Sequence, residues 1–143
     1  LMNKYADKIC LPGDLSSVRQ ARRRDYPVSN LPDDEMLVDI GPKTAEKYFQ
    51  SIMAAKTVFV NGPMGVFEKP ESEHGTRIIW DALKQTPAYT IIGGGDSIAA
   101  TNKYGLAEDI DYICTGGGAL IRFLTGEELP VVKALRHGSK ISQ

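Results

Sequence analysis

Histidine and cysteine are scarce in this sequence, with two of each among 143 residues. Cys10 and Cys114 lie far apart and show none of the paired spacings of zinc or thiol-redox motifs. Structural zinc and disulfide chemistry therefore drop out, and two reduced thiols are expected. His74 and His137 have no partner at ligand or triad spacing, so no chemistry is assigned to them. An excess of one charge is also lacking: 17 Lys plus Arg against 18 Asp plus Glu leave a formal charge of -1. No global field draws nucleic acid or an anionic membrane, so neither is an expected partner, and any anion must be held locally. No apolar run approaches the roughly 18 residues of a bilayer-spanning helix. The start, Leu1-Met2-Asn3-Lys4-Tyr5, lacks the apolar segment of a secretory signal, and the expected location is cytoplasmic.

What the chain has is glycine, 14 in all, and its placement is regular. From about Met36 onward, short β-like runs alternate with helix-like stretches, and the runs end in glycine. Met36-Leu37-Val38-Asp39-Ile40 closes on Gly41-Pro42. Then Ala45, Tyr48, Phe49, Ile52 and Met53 fall at helical spacing. Thr57-Val58-Phe59-Val60 runs into Asn61-Gly62-Pro63, and a stretch over 71–84 carries Ile78, Ile79, Ala82 and Leu83 on one stripe, with Trp80 as a core residue. Tyr89-Thr90-Ile91-Ile92 leads to Gly93-Gly94-Gly95, a helix over 96–104 and a left-handed stop at Gly105. A strand over 110–114 leads to Gly116-Gly117-Gly118 and a short helix over 119–124, stopped near Gly126. This alternation predicts an α/β domain: three layers, Rossmann-like, with a mostly parallel sheet and helices on both faces. Ligands then belong beyond the carboxyl ends of the strands, where the glycines cluster. Residues 1–35 are less legible. Lys8-Ile9-Cys10-Leu11 reads as a strand, and Arg22, Arg23 and Arg24 as a solvated face rather than a phosphate patch.

A triple glycine between strand and helix lets backbone N–H groups and the positive helix end approach an anion closely. Gly93-Gly94-Gly95-Asp96-Ser97 adds a carboxylate suited to Mg²⁺ and a hydroxyl within reach of a phosphate. Gly116-Gly117-Gly118 offers N–H donors alone. Tight structural turns, with Asp96 as an ordinary helix cap, are the competing explanation. The dinucleotide fingerprint fails, because Ile98 and Ile121 stand where its last glycine belongs. The Lys43-Thr44 pair lacks the glycines of a P-loop. In the loop Asn61-Gly62-Pro63-Met64-Gly65-Val66-Phe67-Glu68, the carboxylate could accept from two ribose hydroxyls while Val66 and Phe67 supply apolar surface. A solvated acid is the plainer alternative for Glu68.

These loops resemble one family, phosphoglycerate kinase, and specifically its carboxy-terminal nucleotide-binding domain. The matching signatures are Asp39-Ile40-Gly41-Pro42, the octet 61–68, Gly93-Gly94-Gly95-Asp96-Ser97, Thr115-Gly116-Gly117-Gly118-Ala119 and Leu129-Pro130, so the likeness covers roughly residues 31–135. The resemblance implies that Leu37 and Val38 flank an adenine with Val66 and Phe67 near it, that Glu68 binds the ribose hydroxyls, and that Asn61 lies near ribose and phosphate. It further implies that Asp96 helps hold the Mg²⁺ of MgATP or MgADP, that Ser97 contacts a phosphate, and that Gly94 and Gly95 present amides to it. Gly116, Gly117 and Gly118, with Gly94 and Gly95, would stabilise the phosphoryl group in flight. The implied reaction is reversible phosphoryl transfer between 1,3-bisphosphoglycerate and ADP, giving 3-phosphoglycerate and ATP, without a covalent enzyme intermediate.

The departures carry expectations too. Residues 1–143 read as a partial nucleotide-binding domain. The amino-terminal domain through which the family mainly grips 3-phosphoglycerate is not in the chain, nor is the lysine that contacts nucleotide phosphates. Leu1 is not an initiator residue. The chain is thus expected to be an inactive fragment of an enzyme, or alternatively a truncated, non-catalytic nucleotide-binding module. Cys114 stands where the family often has Ser, and a passive thiol is expected there.

Overall fold

The computed structural model describes residues 4–141, with side chains through 138. Leu1, Met2 and Asn3, on which part of the N-terminal reading rests, lie outside the described residues. The α/β expectation holds: a parallel three-stranded sheet is flanked by helices, and glycine turns close its strands. That sheet contains β4 (Thr57–Asn61), β5 (Tyr89–Gly93) and β6 (Tyr112–Cys114), in the order β4-β5-β6. The helices that follow its strands are α2 (His74–Gln85), α3 (Gly95–Tyr104) and α4 (Gly117–Leu124). Gly105 ends α3 in the left-handed conformation, φ 67° and ψ 32°, as its position predicted.

Burial explains why these elements pack. Val60, Ile79, Trp80, Leu83, Ile92 and Ala100 form one cluster, closed by Phe67, Leu106 and Ile110. Trp80 is fully buried, as expected, and its indole N–H donates to the Thr101 hydroxyl at 2.9 Å, which donates in turn to the Ser97 carbonyl at 2.8 Å. A ring of that size therefore enters the core without orphaning its one polar atom.

The N-terminal part departs from the sequence expectation. No strand forms at Lys8-Leu11; a single 3-10 turn, Ala6–Lys8, precedes irregular chain. Instead β1 (Asp14–Arg19) and β2 (Arg22–Pro27) make an antiparallel hairpin, and β3 (Leu37–Ile40) pairs antiparallel with β1. β3 thus belongs to a second sheet, β2-β1-β3, rather than to the parallel one. The hairpin turns on Gln20 and Ala21, both at positive φ, so the usual Asn or Gly signature of a two-residue turn is missing from its sequence. Its strands hide because they bury polar side chains. Ser16 and Ser17 are fully buried, and their hydroxyls bond Asp25, the Ile40 carbonyl and Glu35.

Arg22 and Arg24 are exposed as expected, but Arg23 is not a solvated residue. Its guanidinium donates to Asp25, to Asp39 at 2.8 Å, to the Ser16 hydroxyl and to the Ile40 carbonyl at 2.8 Å. The fork geometry of arginine satisfies four acceptors of this sheet at once. Helix α5 (Pro130–Ile141) had no counterpart in the sequence reading.

α1 (Pro42–Met53) shows how the two parts are joined. Its N-cap residue is Gly41, which has no side chain to cap with. Asp14, from β1, supplies the cap instead: its carboxylate accepts the N–H of Thr44 at 2.7 Å, the N–H of Lys43 at 3.0 Å and the Thr44 hydroxyl. A methyl group at Gly41 would stand 2.2 Å from the Asp14 Cγ, so the cap also needs this glycine. Burial pushes the Asp14 carboxyl up, but the Thr44 and Lys43 hydrogen bonds outweigh it and hold the group below its ordinary value. Its stabilising effect is therefore complete above the ordinary carboxylate range and fades as pH falls through the lowered folded value. Asp14→Ala is expected to lose about 1–2 kcal/mol near neutral pH, the range of a lost cap. Urea unfolding of both chains at about pH 7 and about pH 3 checks this, since the gap between them narrows in acid. An equal gap at both pH values counts against the capping role.

Candidate functional site

In the parallel sheet the register places Asn61 opposite Gly93, and Gly93 opposite Cys114. The last residues of β4, β5 and β6 therefore line up across one edge. The three loops singled out in the sequence all leave from that edge, the usual ligand side of a parallel sheet.

The two triple glycines are in direct contact. Gly94 adopts φ 90° and ψ 149°, a conformation open to glycine alone, and its N–H donates to the Cys114 carbonyl at 3.3 Å. A Cβ at Gly117 would lie 2.7 Å from the Gly94 Cα, 2.9 Å from its N and 3.0 Å from the Asn61 Oδ1. Backbone thus packs on backbone, with the Asn61 amide against both loops. Around Gly95 and Gly118, by contrast, an added Cβ would meet nothing within 4 Å. The first turns of α3 and α4 begin at this junction, and neither has a side-chain cap. Their leading N–H groups have no helical partners by construction and add two positive helix ends side by side.

Asp96 is exposed on the first turn of α3. Among the described residues no cluster of three or more His, Cys, Asp or Glu could hold a metal ion. The donor set is a single hard carboxylate, which fits a Mg²⁺ bound chiefly by phosphate oxygens and water rather than by a protein cage. Ser97 is fully buried, and its hydroxyl accepts the Gly62 N–H at 2.6 Å. The side chain thus ties α3 to the 61–68 loop, and the hydroxyl that the sequence offered to a phosphate is instead buried against that loop.

That loop is tied along its length. Met64 N–H donates to Thr76 Oγ1 at 3.2 Å, and Val66 N–H donates to the Val38 carbonyl at 2.8 Å. The Ser72 hydroxyl donates to the Val66 carbonyl at 2.6 Å, and Lys103 Nζ donates to the Phe67 carbonyl at 2.5 Å. A Cβ at Gly65 would lie 2.4 Å from the Val38 carbonyl oxygen, so this glycine lets the loop lie flat on β3. Val38, half-buried on β3 next to half-buried Leu37, is thereby joined to Val66, which is 37% exposed. Phe67 is only 6% exposed and belongs to the core, where it anchors the loop. Glu68, the next residue, is exposed.

Three residues of this region, Glu73, Lys103 and Tyr104, had no site signal in the sequence reading. Lys103 Nζ also donates to Glu73 Oε2 at 2.5 Å, and Tyr104 donates its hydroxyl to the same oxygen at 3.3 Å. The Lys103 hydrogen bond, opposed by burial, holds the Glu73 carboxyl below its ordinary value. Burial and then the Glu73 charge push the Tyr104 phenol up to about 12. Cys10 and Cys114 are free thiols. No helix among the described residues is long and apolar enough to cross a membrane.

Comparison with known proteins agrees with this geometry. The phosphoglycerate kinase family profile matches residues 1–127, including the N-terminal stretch that was illegible from sequence. The chain is 45% identical over 141 residues to a phosphoglycerate kinase of Deinococcus radiodurans, covering 94% of this chain and 34% of that protein. It is 40% identical to one from Methanothermus fervidus, covering 99% of this chain and 34% of the relative. Phosphoglycerate kinase from Coxiella burnetii superposes with a TM-score of 0.83 at 35% identity, over 92% of this chain and 36% of that one. The enzyme from Pyrococcus horikoshii OT3 does so at 0.82 and 38%, over 94% and 34%. The chain thus spans about a third of the length of these relatives.

Proposed function

Since the chain belongs to the phosphoglycerate kinase family, we propose that it forms the nucleotide-binding part of such an enzyme. That enzyme passes a phosphoryl group reversibly between 1,3-bisphosphoglycerate and ADP, giving 3-phosphoglycerate and ATP. The observation that carries this reading is the packed junction of Gly94 and Gly117, which sets the first turns of α3 and α4 side by side. A phosphate chain laid across them meets backbone N–H groups of both helices, fixed before the ligand arrives.

Each neighbouring element has a part in this reading. Leu37, Val38 and Val66 form the apolar wall for the base, with Phe67 as its buried support. Glu68 takes the ribose hydroxyls, and Asn61 holds the two glycine loops at their spacing while facing ribose and phosphate. Gly94, Gly95 and the N–H of Ser97 receive the nucleotide phosphates. Gly116, Gly117 and Gly118 receive the equatorial oxygens of the transferred group, where charge is spread in a loose transition state. Asp96 would hold a Mg²⁺ bound with the nucleotide, which neutralises phosphate charge when present. In this reading the transfer is direct, without a covalent enzyme intermediate. Phosphoglycerate is assigned to the amino-terminal domain of the whole enzyme.

Heteronuclear NMR titration with MgADP tests this. Saturable shifts are expected at the amides of Gly93, Gly94, Gly95, Asp96 and Ser97, at Gly116, Gly117 and Gly118, and at Glu68. A folded chain whose amides do not move at these loops would overturn the assignment.

A further inference from the structure

Glu68 can read a ribose only if the backbone that carries it is fixed, yet it sits at the exposed end of a loop. Its side chain has no role in the core. The preceding peptide, Phe67 C=O to Glu68 N–H, determines where the Glu68 Cα points. Three other ties hold the loop through Met64 and Val66. The Phe67 carbonyl, however, is held by Lys103 Nζ at 2.5 Å. The same ammonium is braced by Glu73 Oε2 at 2.5 Å and lies 6.0 Å from the centroid of the Phe67 ring. Its side chain is 36% exposed, so the charge is partly withdrawn from solvent while meeting two acceptors and an aromatic face.

The position of Lys103 gives this clamp a second end. It lies seven residues after Asp96 on α3, which is two turns along one helical face. The helix that would present its first turn to phosphates thus also grips, near its last turn, the peptide before the ribose carboxylate. We propose that Lys103 is a positioning residue of the nucleotide site, which fixes the Phe67–Glu68 peptide and so sets the preference for a ligand with free ribose hydroxyls. The inference rests on the nucleotide reading given above and adds to it the source of sugar specificity.

The test compares MgADP with the magnesium complex of 2′,3′-dideoxy-ADP by calorimetry, on the chain as it stands. Wild type is expected to favour ADP by about tenfold, a typical value for paired hydrogen bonds to a charged acceptor. Lys103→Met, which keeps the apolar stem, is expected to reduce that preference to about twofold while leaving the dideoxy affinity nearly unchanged. Lys103→Arg retains most of the preference. Glu68→Gln loses it, and combining Glu68→Gln with Lys103→Met loses no more, because both act on one interaction. Equal weakening of both ligands by Lys103→Met would reduce Lys103 to a structural part and overturn the proposal, as would an unchanged preference. If wild type binds both ligands equally, the ribose role of Glu68 fails and this proposal fails with it. If it binds neither, the nucleotide reading itself falls. Should Lys103→Met not fold, the comparison is made on Glu73→Gln, which removes the second anchor of the ammonium. An ADP preference that is undiminished there also overturns the proposal.

Discussion

Gly117→Val is expected to weaken MgADP binding by at least about a hundredfold, close to 2.7 kcal/mol. The reason is space and not backbone angle. A Cβ at this position would stand 2.7 Å from the Gly94 Cα and 2.9 Å from its nitrogen, both backbone atoms, and 3.0 Å from the Asn61 amide oxygen. Backbone cannot swing aside as the end of a flexible side chain can, so the two loops must separate. Overpacking of this kind typically costs about 1–3 kcal/mol of stability. It also displaces the α3 and α4 first turns from each other, the feature on which phosphate binding rests in the proposed function. Gly13→Ala provides the control, because a Cβ there meets nothing within 4 Å and the residue lies outside the glycine loops. Calorimetric titration with MgADP and a thermal melt of both variants separate the effects. Binding by Gly117→Val within about threefold of wild type, under half a log unit in Kd, would show that the loop junction does not carry the affinity.

Asp39→Ala is expected to have the largest effect on stability. The Asp39 side chain is fully buried and accepts from three segments: Arg23 at 2.8 Å, the Gly75 N–H at 2.7 Å and its neighbour Ile40 N–H at 2.9 Å. It thus joins β2 and β3 to the start of α2, and Gly65 of the 61–68 loop packs against it as well. Removing the carboxylate takes from a largely buried guanidinium one of its two carboxylate partners, leaving it only Asp25, and deprives the Gly75 and Ile40 N–H groups of their acceptor. Breaking a buried pair one-sidedly costs about 3–5 kcal/mol when the remaining charge has no other partner, and the retained Asp25 contact puts the expected loss at about 3 kcal/mol. That is a large share of the roughly 5–15 kcal/mol that holds a domain folded. Urea unfolding is the measurement, and a loss under about 1 kcal/mol would mean that water replaces the carboxylate. The paired replacement Arg23→Met with Asp39→Leu is expected to recover part of the loss, because it removes both charges at once.

The legible and illegible parts of this chain divide along a physical line. β4, β5 and β6, their glycine turns and the helices after them were readable from apolar runs and helical stripes. The loops at 61–68, 93–97 and 115–119 carried the family likeness, since each uses residue types that few other arrangements require. The β1–β2 hairpin was not readable, because its strands bury Ser16, Ser17 and the stem of Arg23 instead of an apolar face. Its turn uses Gln20 and Ala21 in place of the residues that usually mark one. Arg23 looked like part of a solvated run, for nothing in the sequence says that Asp39, sixteen positions later, lies within 2.8 Å of it.

The sequence by itself determined the α/β class, the parallel strands and the places where backbone could approach an anion, since these follow from local periodicity and from glycine. Tertiary structure alone decided which groups meet: Asp14 capping α1, Ser97 turned to Gly62, Asp39 beneath the loop, Lys103 on the Phe67 carbonyl. Each joins residues about 26 to 36 positions apart. Such a pairing leaves no trace in spacing, because a hydrogen bond depends on where two atoms end up and not on the number of residues between them.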